Sequence, residues 1–96
     1  MTDKHTPGPW IAVSTKRESS NLHIMTVEGY GIANMFDKGS IDDQEMVANA
    51  TLIASAPTML SALIMADEAL EEEGYEADGQ YRKTILAAIA QARGEA

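Results

Sequence analysis

The chain has 96 residues, 45% hydrophobic and 23% charged, and a formal net charge of −8. That length and balance describe a single domain spanning residues 1–96, too short for a two-lobed enzyme with a cleft between its lobes. The absence of cysteine excludes disulfides, thiolate metal sites and a cysteine nucleophile. The acidic balance argues against direct contact with nucleic acid, which needs a basic surface to release counterions, and against docking on anionic lipid.

The first five residues, Met1 to His5, carry no apolar signal stretch. The longest apolar run, Met59 to Leu70, is broken by Ser61, Asp67 and Glu68. The expected location is therefore cytoplasmic, with no membrane partner. A domain of this size has a thin core, and its many alanines add helix propensity without much volume. Association into a homo-oligomer is expected on that ground.

The N-terminal half reads as strands, over about residues 10–36. Thr6-Pro7-Gly8-Pro9 is a turn-forming run, and Pro9 pushes Gly8 away from helix, so the chain enters Trp10-Ile11-Ala12-Val13 extended. Ser14 to Asn21 is polar and without period, which predicts a loop. Leu22 to Val27 alternates, with Leu22, Ile24 and Thr26 on one face and His23, Met25 and Val27 on the other. Glu28-Gly29-Tyr30-Gly31 is a tight-turn signal, and Ile32 to Phe36 follows as a partner strand. The prediction is a three-stranded antiparallel meander.

Asp37-Lys38-Gly39-Ser40 ends the sheet, and residues 42–93 read as two to three helices. Asp42 with Glu45, or Ser40 with Asp43, has capping-box spacing. Met46, Ala50 and Ile53 share a helical face, flanked by Val47 and Ala54. Pro57 suits the first turn of a new helix and would break an old one. The second helix is expected from Pro57 to about Glu73, with Leu60, Leu63, Ile64 and Leu70 buried and Gly74 as its stop. Asp78 is placed to cap a third helix with Tyr81, Ile85, Ala88, Ile89 and Ala92 on one face, ended by Gly94. Strands followed by helices give an α+β fold, a small sheet with the helices packed on one face.

The charge is unevenly placed. Residues 1–41 are neutral, with four acids and four bases, whereas residues 42–96 hold eleven acids and three bases. No base lies between Lys38 and Arg82, and within that gap Asp67, Glu68, Glu71, Glu72, Glu73, Glu76 and Asp78 crowd the corner between the last two helices. The plain reading is a solvated face that keeps the chain soluble. Yet Glu71, Glu72 and Glu73 fall at a helix C-terminus, where the dipole disfavours negative charge, and Glu68 with Glu72 is a like-charge pair at neighbour spacing. A sequence selected for stability alone would place Lys or Arg there, so these seven acids are the candidate partner-binding residues. Asp42, Asp43 and Glu45 could extend the surface.

Other chemistry is poorly supported. His5 and His23 would need carboxylate help, from Asp3 or Glu28, to hold a metal, and no metal or other cofactor is expected. Ser14, Ser19 and Ser20 lack a nucleophile-elbow context. The Glu28–Gly31 turn lacks the helix start and lysine of a phosphate cradle. No catalytic residue is assigned. Trp10 reads as a core anchor, although Trp10, Tyr30, Lys16 and Arg17 could frame a nucleotide-sized pocket. The six methionines read as core filler or as an adaptable surface.

Two stretches carry a resemblance. Lys4-His5-Thr6-Pro7-Gly8-Pro9-Trp10 resembles the opening of many small phage and prophage proteins, and Ala48-Asn49-Ala50-Thr51-Leu52-Ile53-Ala54-Ser55-Ala56-Pro57-Thr58-Met59-Leu60 is similar to their ANAxLIAxAPxLL segment. Gly31-Ile32-Ala33 fits their G-x-IA strand. Met59 stands where leucine is usual, a volume-conserving change. The stretch from Glu71 to Glu76 has no counterpart in that pattern. The resemblance implies a phage accessory protein and carries no catalytic or ligand residues.

The function expected from these readings is non-catalytic. A phage protein of this size, acidic at one corner, would act as an inhibitor of a bacterial defence system, in the manner of anti-CRISPR proteins, by occupying a basic surface of a host defence protein or complex. Two alternatives belong to other classes: an oligomeric sponge sequestering a nucleotide signal through Lys16, Arg17, Arg82, Lys83 and an aromatic platform, and a structural, self-assembling phage protein.

Overall fold

The structure is a computed structural model that describes residues 4–14, 22–35 and 43–95. Three strands, β1 (Trp10–Ser14), β2 (Leu22–Thr26) and β3 (Gly31–Asn34), precede three helices, α1 (Asp43–Ala54), α2 (Ala56–Glu72) and α3 (Gln80–Ala92). This is the α+β order expected, with three helices. The sheet is an antiparallel meander, β1-β2-β3. The chain divides into two compact units, one of Thr6–Pro57 and one that runs from Thr58 through α3 and includes His5.

In the first unit the β2 alternation sets the core. Leu22, Ile24 and Thr26 are buried, while His23 and Met25 on the opposite face are partly exposed. Ile24 and Met46 are the largest fully buried side chains. Leu22, Ile24, Met46 and Ala50 form the core cluster, with Trp10, Ile32, Met35 and Ala54 packed against it. α1 lies against β1 and β2. Its inward positions are Met46 and Ala50, both buried, and the partly buried Ala54, a strict four-residue step. Ile53, expected among them, is 39% exposed and Val47 lies in the open. Ala48, the first alanine of the ANAxLIAxAPxLL segment, is exposed as well.

Turn chemistry pins the register. Trp10 pairs with Thr26 and Ser14 with Leu22, and a bulge between Ile24 and Met25 shifts the β2–β3 pairing so that Ile32 reaches the core. Thr26 holds the β2–β3 turn from three sides: its N–H donates to the Tyr30 carbonyl at 2.9 Å, its carbonyl accepts from Gly29 at 3.0 Å, and its hydroxyl accepts from the Tyr30 N–H at 3.1 Å. Gly29 takes φ +98°, a conformation L side chains rarely adopt.

The Thr6–Pro9 entry is folded back. The Trp10 indole N–H donates to the Thr6 carbonyl at 3.1 Å. Gly8 sits against Pro57, which is buried; a Cβ on Gly8 would lie 2.7 Å from the Pro57 Cβ. The proline at the start of α2 is thus a packing surface for the opening motif. Ser55 is the break between α1 and α2: its hydroxyl donates to the Thr51 carbonyl at 2.8 Å, and its N–H is shared between the Thr51 and Leu52 carbonyls. Phe36 and the Ser40, Asp42 and Asp37–Ser40 signals lie outside the described residues, as do Lys16 and Arg17.

In the second unit both helices end as their glycines predict. Gly74 (φ +94°) donates to the Glu71 carbonyl and Tyr75 to the Leu70 carbonyl, and Gly94 (φ +74°) with Glu95 repeats the pattern at the end of α3. These are the two bonds of a Schellman stop. Leu60 and Ile89 are buried. The α3 face differs from expectation: Tyr81 is 65% exposed and Ala92 is exposed, while Arg82 takes a buried place in line with Ile85 and Ile89. Among the described residues no single helix is long and apolar enough to cross a membrane.

Candidate functional site

The acidic corner is built from the last two turns of α2, the connection 73–79 and the first turn of α3. Helical spacing sorts its acids. Asp67 and Glu71 are four residues apart and share a face, and Glu68 and Glu72 share the next one. The first pair points to Arg82. Its Nε donates to Asp67 Oδ1 at 2.9 Å and one Nη to Asp67 Oδ2 at 3.3 Å, a bidentate grip. The same Nη donates to Glu71 Oε2 at 3.1 Å, and the other Nη donates to the Tyr75 carbonyl at 3.0 Å.

Arg82 therefore ties together the last turns of α2, the loop and α3. Its side chain is 8% exposed and that of Asp67 15%, against 70% for Glu71. A guanidinium so enclosed needs every donor directed at an acceptor, and the fork matches carboxylate geometry in a way a lysine would not. The hydrogen bond from Arg82 holds the Asp67 carboxyl below the usual aspartate range, against the upward push of burial. The Arg82 guanidinium is correspondingly raised, chiefly by the same bond to Asp67.

The seven predicted site residues thus divide by environment. Asp67 and Glu71 are engaged inside the unit. Glu68, Glu72, Glu73, Glu76 and Asp78 are exposed, and none of the five pairs with a base among the described residues. α2 itself has no basic side chain in its last turn, and Glu72 and Glu73 stand at its carbonyl end, where the dipole disfavours negative charge. Asp78 does not cap α3. Gly79 occupies the N-cap, with extended backbone and no side-chain cap, and its carbonyl accepts from Lys83 at 2.8 Å. Tyr75 and Tyr81 form an edge-to-face pair beside these acids, ring centroids 6.3 Å apart at 65°.

The residue that composition and spacing missed is Arg82. The sequence offers it as a base for a nucleotide, yet its guanidinium is buried on carboxylates. The signal was in the sequence: Arg82 stands three and seven residues before Ile85 and Ile89, on the apolar stripe, and a lone base there must face acids. Residues Asp42 and Asp43 lie outside the described side chains, and Glu45 is exposed on α1. Among the described residues no three His, Asp or Glu side chains gather as metal ligands. His23 Nδ1 lies 2.6 Å from Asn34 Oδ1, a cross-strand pair on the outer face of the sheet.

Nothing among curated proteins and nothing among solved structures matches the chain. A family match covers residues 1–96, which include the Pro-Gly-Pro entry, the Gly8–Pro57 packing and the acidic corner; the chain belongs to the family described as Salmonella phage P22 protein Y8K6.

Proposed function

We propose that this phage protein is a non-catalytic inhibitor of a bacterial defence system, which binds a basic surface of a host defence protein or complex through its acidic helical corner. One observation carries the reading. After Arg82 has engaged Asp67 and Glu71, five carboxylates still stand in water around the corner, and two of them, Glu72 and Glu73, sit at the carbonyl end of α2, where the helix dipole disfavours negative charge. Electrostatic complementarity of this kind steers encounter and selects partners. The exposed Tyr75–Tyr81 pair adds an apolar centre of the type enriched at interfaces.

The test is capture of host factors from lysate by the wild-type chain and by a Glu68→Lys, Glu72→Lys, Glu76→Lys variant, at low and high salt. The expected outcome is a captured basic component that is released by salt and lost with the variant, together with loss of inhibition in a host challenged by phage. A captured component indifferent to both salt and charge reversal would overturn the assignment to this corner.

A further inference from the structure

α2 carries a second apolar face. Residues 56–66 contain no charged side chain, and Leu60, Leu63 and Ile64 occupy the inward side. On the outward side Met59, Ala62, Met65, Ala66 and Ala69 form an uninterrupted stripe, all exposed, Met59 by 42% and Met65 by 68%. A contiguous exposed apolar stripe rimmed by polar residues marks a surface of association. Glu73, whose N–H still bonds the Ala69 carbonyl at 3.1 Å, continues the stripe at its acidic end.

The electrostatics of α2 identify the cover. Its first turn holds no acid and its last turn no base, while acids accumulate at the last turn. Neither end of α2 thus carries, within the helix itself, the side-chain charge that would offset its dipole. An antiparallel twin corrects both at once, because it sets the glutamates of one helix beside the N–H groups of the other helix's first turn. We infer that two copies of this chain pair antiparallel through the outward stripe of α2, about a two-fold axis between Met65 and Ala66. In that register Ala62 meets Ala69 of the second copy, and Glu73 meets Thr58 in its first turn. Facing alanines let the helix axes approach toward the ~8 Å lower end of helix packing distances. The contact is isologous, so it closes at two. It goes beyond the host-binding reading and stands without it, since Glu68, Glu76 and Asp78 lie off the stripe.

The experiment is sedimentation of the full chain at loadings from about 10 to about 500 µM, a range suited to an interface below the ~1,600 Å² standard size. A concentration-dependent dimer is expected. Ala66→Glu should abolish it with the far-UV circular dichroism unchanged, because Ala66 is exposed in one copy. Glu73→Lys should weaken it by about threefold or more, from the reversed helix-end interaction made twice. The chain has no cysteine, so a single introduced thiol reports the register. Ala66→Cys should oxidise to a covalent dimer, whereas Met59→Cys, about 20 Å from its twin across the axis at 1.5 Å per residue, should not. A monomer throughout, a dimer indifferent to Ala66→Glu, or efficient Met59→Cys cross-linking would each overturn the pairing.

Discussion

Gly8 lies so close to Pro57 that a methyl group on it would sit 2.7 Å from the proline Cβ and 3.2 Å from its Cγ. Neither atom belongs to a flexible side chain, so the space cannot be regained by a rotamer change. Gly8→Ala is expected to destabilise the chain by about 1–3 kcal/mol, the usual range for overpacking a tight contact. Equilibrium urea unfolding of the two proteins checks it, with an unchanged slope showing that only stability has moved.

The Arg82–Asp67 clamp predicts a pH dependence. A carboxyl held below its unfolded value contributes stability that is fully present above the unfolded aspartate pKa, near ~3.9, and is lost as pH falls through the lower folded value. Asp67→Asn should therefore lower the melting temperature at neutral pH. The gap to wild type should narrow only below about pH 4. Melts recorded across that interval test the sign, and a gap that widened on acidification would contradict it. Arg82→Lys should fail to restore the wild-type profile, since an ammonium cannot serve Asp67, Glu71 and the Tyr75 carbonyl with the same fork.

Glu72→Lys is expected to stabilise the isolated chain while weakening host capture. It converts the Glu68–Glu72 repulsion into a Glu–Lys pair in the favourable order and places a cation at a helix C-terminus, together about 0.5–1.5 kcal/mol. Thermal melts at low loading and the capture assay should move in opposite directions. A rise in stability without loss of capture would show that this glutamate serves neither purpose.

Within the sheet–α1 unit, buried and open positions differ in what truncation removes. Ile24→Ala and Met46→Ala each empty a fully buried site in the sheet–α1 core and should lose about 2–5 kcal/mol. Leu52→Ala, on the open side of α1, should stay within about 0.5 kcal/mol of wild type. Denaturant titration of the three variants separates these cases.

Much of this architecture was legible in the residues. The period of two in Leu22–Thr26 named the buried face, Gly74 and Gly94 marked both helix stops, and Pro57 marked a helix start, because each of these depends on local sterics. What escaped were relations between distant positions. Periodicity alone put Tyr81 on the α3 core face, yet Arg82 holds that place, because its guanidinium fork reaches Asp67, Glu71 and the Tyr75 carbonyl together. Likewise Ile53 matched the helical period of α1, but the sheet receives the four-residue step Met46, Ala50, Ala54. For the acidic corner, the list of residues was readable and its division was not: whether a carboxylate faces water or a guanidinium depends on where a second helix sets its first turn.

That division governs how the corner could be remodelled. Two of its seven carboxylates are structural fasteners, Glu73 belongs to the inferred pairing face and four are free variables, so a library that randomised all seven together would confound misfolded or unpaired clones with inactive ones. Varying Glu68, Glu72, Glu76 and Asp78 on a constant Asp67–Arg82–Glu71 frame would instead let a selection tune affinity or partner choice with the clamp between the two helices left untouched.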